Sequence, residues 1–314
     1  MDQARGTVRA ATGTDTTAAA EISHTDFPFP GRLFQSPWPV TRPDARVLDE
    51  QIEQYGKFRD WQVHAANDMS TDLRYLGRDP TPDDWEKSYW RLVEQRSTQP
   101  SLHPNPQLTT PITDTARRAD CFGKLGKEQE RQPTPFGIAY AEAGQRGFAR
   151  MKAAGVDQMD NVVRLTDGTE VKGNWMMRGD PAQRVIFDLT KGDETDPLHK
   201  RTDVVVTVTG DVADQTRILE DAFWQLADPG EFTVQTWADV AYKLFQSPQT
   251  VEGSDAVIRT FLAGAGDYRL GRVPVFPHDI DLRALTMTQT DFVRYIVDHD
   301  AVMRGVSDKT EVWG

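Results

Sequence analysis

The stretch from Thr233 to Arg272 constrains this chain more than any other, because it sets two helical patterns on either side of a short polar turn. Trp237, Val240, Ala241, Leu244 and Phe245 recur at helical spacing and predict one apolar face. The turn Pro248-Gln249-Thr250-Val251-Glu252-Gly253-Ser254-Asp255 follows, and a second helix is expected to open at Ser254, with Val257, Ile258, Phe261 and Leu262 in the core. The first N–H groups of a helix are unpaired and its dipole is positive there, so a small-residue turn feeding a helix start can cradle a phosphate. Arg259 stands about one turn further in. The same residues also describe an ordinary joint, in which Ser254 caps the helix, Asp255 complements its dipole and Arg259 is a surface side chain.

The rest of the chain frames this joint. Leu48, Ile52, Tyr55 and Phe58 predict a helix from about Asp44 to about His64. Thr81 as N-cap, Pro82 at the first helical position and Asp84 in the capping-box place predict another, ending near Gln95, with Trp85, Tyr89, Leu92 and Val93 on one face. Trp90 falls on a second face of that helix, which suits one exposed ring or a ligand groove. The segments 26–43, rich in proline and aromatics, and 97–134 read as a strap and a long connection. A helix from Phe136 to Ala154 is stopped by Gly155, and its Gly144 and Gly147 weaken it or admit a close neighbour. Asp167-Gly168 then predicts a hairpin between Val162–Leu165 and Thr169–Val171. A second hairpin is expected from 184–189 and 203–208. Helices resume with Ile218, Leu219, Ala222, Phe223 and Leu226, and end with one starting near Thr288 that buries Phe292, Tyr295 and Ile296. The order of elements predicts an α+β fold, mainly α-helical, with a small antiparallel sheet. Residues 1–25 read as a disordered tail, 26–135 as an N-terminal helical region and 136–314 as the main helical domain with its hairpin insert.

Charge and cysteine usage narrow the function classes. The net charge of −12 argues against a nucleic-acid partner, which requires clustered Lys and Arg to release counterions. No stretch approaches the roughly 18 apolar residues of a membrane span. Cys121 is the single cysteine, so an internal disulfide is excluded; a buried inert thiol in a reducing, cytoplasmic compartment is the simpler expectation. No Walker loop, dinucleotide fingerprint or serine-nucleophile elbow is present.

Taken in order, the elements over about 185–300 resemble the Fic family, or Fido fold, whose members transfer AMP or other phosphate-bearing groups to protein hydroxyls. In that family a hairpin flap and two helices precede a loop reading His-Pro-Phe-x-(Asp/Glu)-Gly-Asn-Gly-Arg-x-x-Arg. Here the loop is matched by Pro248-Gln249-Thr250-Val251-Glu252-Gly253-Ser254-Asp255-Ala256-Val257-Ile258-Arg259. The resemblance implies that Glu252 holds a divalent metal, Mg²⁺, that Gly253 and Ser254 bind phosphate through their amides, and that Arg259 contacts phosphates of a nucleotide donor. Ser254, Asp255 and Ala256 depart from the family's asparagine, second glycine and first arginine. Pro248 stands where the general-base histidine belongs, and proline cannot accept a proton. Asp255, Gln249 or His199 would have to replace it. The resemblance therefore implies either a diverged transferase acting on a hydroxyl of a protein or small molecule, or an inactive Fic-like module that binds a ligand or a protein.

A rival lies at Pro277-His278-Asp279-Ile280-Asp281. Asp-x-Asp on a strand, with Gly264-Ala265-Gly266 before it, resembles in part the polymerase-β type of nucleotidyltransferase, with Asp298 or Asp300 as third carboxylate. Together with His278 and His299 the same residues are candidates for a His/Asp metal centre.

Overall fold

The computed structural model describes residues 22–23, 26, 45–99, 110–113, 115–122, 135–179 and 204–310. In chain order these hold α1 (Ala45–Tyr75), α2 (Pro82–Ser97), β1 (Ala119–Phe122), α3 (Pro135–Ala154), β2 (Gln158–Arg164), β3 (Glu170–Gly179), β4 (Val204–Val208), α4 (Val212–Ala227), α5 (Val234–Gln246), α6 (Ser254–Leu270), α7 (Ile280–Thr286) and α8 (Gln289–Thr310). The fold is α+β and mainly helical, with one small antiparallel sheet of order β1-β4-β3-β2.

Helix α6 is the axis of the molecule: every residue from Ser254 to Asp267 is buried. Helix α1 runs parallel to it, as Gln62 Nε2 bonds Thr260 Oγ1 at 3.3 Å and Arg74 pairs with Asp267 at 2.8 Å. Helix α2 runs antiparallel: Trp85 meets Tyr268 and Phe261 at ring-centroid distances of 5.6 and 5.9 Å, and Tyr89 meets Phe261 at 5.4 Å. The capping box at Thr81 and Asp84 is formed, with Asp84 accepting from the Thr81 amide at 2.8 Å. Helix α1 runs well past the expected end at His64, because Ala65, Ala66, Met69 and Leu73 continue its buried stripe.

The sheet closes the other side. The hairpin around Asp167 and Gly168 forms as expected, with Val163 opposite Val171. A bulge between Asp160 and Val162 turns Asn161 inward, where its Nδ2 donates to Asn174 Oδ1 at 2.8 Å and to the Leu285 carbonyl at 3.0 Å. Gln246, the last residue of α5, accepts from the Asn174 amide at 2.8 Å and donates to the Ala284 carbonyl at 2.7 Å. These amides pin the sheet, the end of α5 and α7 together, and so fix where the next turn begins. Gly173 is needed there: a Cβ would collide with Gln246 Oε1. Gly147 likewise faces the sheet, its missing Cβ 3.0 Å from Val205, so it is the close-packing glycine of its helix.

Several expectations are corrected. The connection 97–134 contains strand β1, which joins the sheet beside β4. The second hairpin is not a free flap: Val205–Val208 pair with β3 on one edge and β1 on the other, so the expected second strand is interior to the sheet. Its first strand, 184–189, lies outside the described residues, as do residues 27–43 of the strap, His199 and most of the tail. Within that tail, however, Ile22 is buried and exchanges hydrogen bonds with Asn67 of α1 at 3.2 and 3.0 Å. The strand that the polymerase-β resemblance requires at Asp279-Ile280-Asp281 is instead the start of α7, with Asp279 as its N-cap residue. Among the described residues no helix is long and apolar enough to cross a membrane.

Candidate functional site at the start of α6

Residues 247–253 leave α5 and turn into α6 through Gly253, whose φ of 80° is the left-handed conformation that costs a side-chain-bearing residue about 1–2 kcal/mol. The turn is laced internally. Ser254 Oγ donates to the Thr250 carbonyl at 2.9 Å and accepts from the Thr250 amide at 3.0 Å, while Thr250 Oγ1 donates to the Glu252 carbonyl at 2.6 Å. Gln249 turns its amide back onto the Ser247 carbonyl at 2.7 Å. From outside, the segment Thr110–Ile112 lies along it: the Ile112 amide donates to the Gln249 carbonyl and the Val251 amide to the Thr110 carbonyl, at 3.1 and 3.0 Å. Gly253, Ser254 and Asp255 are buried, and Glu252 is half-buried.

Arg259 does not project toward this turn. It is 3% exposed and forms a buried pair with Asp281 at 2.9 Å, and it donates to the carbonyls of His278 and Pro277 at 3.0 and 3.3 Å. It is not the surface arginine of an ordinary joint, and only its Nε lacks a hydrogen-bond partner among the described residues. Asp279 is similarly engaged, by Arg283 at 2.8 Å and Arg146 at 3.7 Å, and Asp300 takes a bidentate contact from Arg272 at 3.0 and 2.8 Å. Of the carboxylates of the rival reading, Asp279, Asp281 and Asp300 thus anchor α7 and α8 to arginines, while Asp298 is exposed. Among the described residues no three His, Cys, Asp or Glu side chains converge as metal ligands.

The cation beside the helix start comes from α2. Two turns beyond Tyr89 along this antiparallel neighbour stands Arg96, on which the charge of Asp255 in the first turn of α6 acts. It is 1% exposed and stacks on Phe58 of α1 at 4.6 Å, and Nε, Nη1 and Nη2 of its guanidinium all lack a hydrogen-bond partner among the described residues. Burial lowers its pKa from 12.5 to about 10, and Asp255 is the charge that works against that fall. Separation along the chain hides this side chain from motif reading; the only signal is a basic residue in the last turn of α2.

Pro248 faces a different neighbourhood. With Arg118, Asp120, Thr207, Thr209 and Asp281 it lines a cavity of about 10 Å³, room for one water molecule. Asp120 pairs with Arg118 at 3.1 Å and Asp281 with Arg259. The Thr207 and Thr209 hydroxyls are buried without partners among the described residues.

Fold and site together define a class: a mainly helical α+β protein whose central helix begins under a buried arginine. Beyond that class, no protein-family model matches the chain, and no curated protein matches it either.

Proposed function

We propose that this chain is a diverged Fic-like module that binds a phosphate-bearing ligand, a nucleotide in the first instance, at the start of α6 without transferring it. The observation that carries the reading is the guanidinium of Arg96, buried with no hydrogen-bond partner among the described residues. A buried charge without partners is rarely retained in a fold unless something else satisfies it. Keeping Arg96 charged costs on the order of 3 kcal/mol at a pKa of about 10 against 12.5. An anion seated between it and the first amides of α6 supplies the missing acceptors and offsets that cost. Arg96 thereby takes the phosphate role that the family resemblance gives to Arg259, and Arg259 positions the helix.

Glu252 and Asp255 bring negative charge to the same end. A nucleotide there is accompanied by Mg²⁺, which needs only one or two protein carboxylates when phosphate oxygens and water complete its shell, and the family resemblance gives that role to Glu252. Binding without transfer follows from Pro248, because the carboxylates that share its cavity, Asp120 and Asp281, are both held by arginines. A transferase remains the second reading, favoured by Asp120 lining the same cavity as Pro248.

Calorimetric titration of the whole chain with ATP and Mg²⁺ separates these. The module reading predicts saturable binding that weakens about tenfold or more in Arg96→Ala, with no label transferred from radiolabelled ATP to the chain or to added protein. Absence of binding by wild type, or binding unchanged in Arg96→Ala, contradicts it. Label incorporation that disappears in Asp120→Asn establishes the transferase instead.

A further inference from the structure

A second polar centre lies on the far side of α5, and nothing in the turn region explains it. Lys243 is 1% exposed, yet its ammonium is bonded to Asp221 at 2.8 Å, Asp239 at 2.7 Å and Gln225 Oε1 at 2.8 Å. Asp239 also accepts from Gln289 Nε2 of α8 at 2.6 Å, and Gln289 in turn holds both backbone groups of Arg164 at 2.7 and 3.0 Å. This network fixes the β2–β3 turn, α4, α5 and α8 in one arrangement. It also forms the floor of a cleft of about 650 Å³, the size of a small-molecule site.

The charge in that cleft is sorted. Lys243 and Asp239 line the cleft as a pair, with Asp221 bonded to Lys243 outside the lining, and Asp298 adds a carboxylate from α8. Arg164 and Arg294 stand exposed at the rim, where Arg294 makes a solvent-facing contact to Asp291 at 3.2 Å. Val293 and Val297, one turn apart on α8, supply an apolar strip between them. Among the described residues no aromatic side chain lines the cleft to give a sugar or base a stacking platform.

We propose that this cleft is a binding site for a small zwitterion, a free amino acid or short peptide, independent of the anion site at α6. Its ammonium is held by Asp239 and Asp298, its carboxylate by Arg164 and Arg294, and its side chain lies on Val293 and Val297. Gln225 and Gln235, which also line the cleft, carry amides that match those of a peptide.

The test uses the whole chain and titrates it, by calorimetry, with L-glutamine, L-glutamate, L-lysine and Ala-Ala, each beside its N-acetylated and C-amidated form, with glucose as neutral control. The expected result is saturable binding of at least one free zwitterion, weakened about tenfold by blocking either end. Arg294→Ala and Asp298→Asn, both exposed and outside the buried network, weaken it by a similar factor. Arg96→Ala leaves it unchanged, which separates this site from the one at α6. The proposal is overturned if no zwitterion binds at about 10 mM, if blocked forms or glucose bind equally well, or if both variants bind as wild type does.

Discussion

Arg96 and Arg259 are buried to nearly the same degree, yet their surroundings make them opposites. Arg259 is matched: Asp281 and two carbonyls complete its hydrogen bonding, apart from Nε. Removing one partner of such a buried pair strands the other, so Arg259→Ala is expected to lower unfolding free energy by about 3–5 kcal/mol. The double variant Arg259→Leu with Asp281→Leu recovers much of that loss, and urea denaturation of wild type, the single variants and the double variant checks both statements. Arg96 has no hydrogen-bond partner among the described residues and only the charge of Asp255 acting on it, so the ligand-free protein loses less on its removal than on removal of Arg259. Arg96→Leu is expected to cost clearly less than the roughly 3–5 kcal/mol of Arg259→Ala, the outcome that separates an arginine kept for a ligand from one kept for the fold.

At the scale of elements, two groups tie stability to pH with the same sign. Burial is the main cause holding His299, stacked on Tyr295, below its ordinary value. The Arg78 hydrogen bond is the main cause holding Asp84, in the capping box of α2, well below the usual carboxylate range. In each case the unfolded chain binds the proton more readily, so the contribution is present above the unfolded pKa and is lost as pH falls through the folded one. Urea midpoints are therefore expected to decline first below about pH 6.5, a step removed in His299→Gln, and again below about pH 4. The capping box is legible in the sequence alone, because its residues are neighbours in the chain. So are α4, α5, the start of α8 and the Asp167-Gly168 turn. Strand β1 is not, since four residues carry no measurable alternation and acquire strand geometry only by pairing with Val205–Val208. The short helix α7 is hidden for a related reason: Asp279 and Asp281 look like ligands in sequence, and only Arg283, Arg146 and Arg259 brought beside them show that they are anchors.

For the whole molecule, the central fact is that α6 is enclosed along most of its length, and its start is enclosed too. Helices α1 and α2 run along α6 in opposite directions, stacking Arg96 on Phe58 where the charge of Asp255 acts on it, while Thr110–Ile112 covers the preceding turn. The turn's own sequence makes a phosphate cradle legible, but the cation that completes it comes from α2, and no spacing rule connects positions so far apart. The decisive question is whether an anion binds at that corner. The most direct measurement is urea unfolding of wild type and Arg96→Leu with and without pyrophosphate at constant ionic strength. A ligand at about 100 times its dissociation constant should raise wild-type stability by about 2.7 kcal/mol and leave Arg96→Leu unmoved. Equal stabilisation of both proteins, or of neither, would contradict an anion site under Arg96.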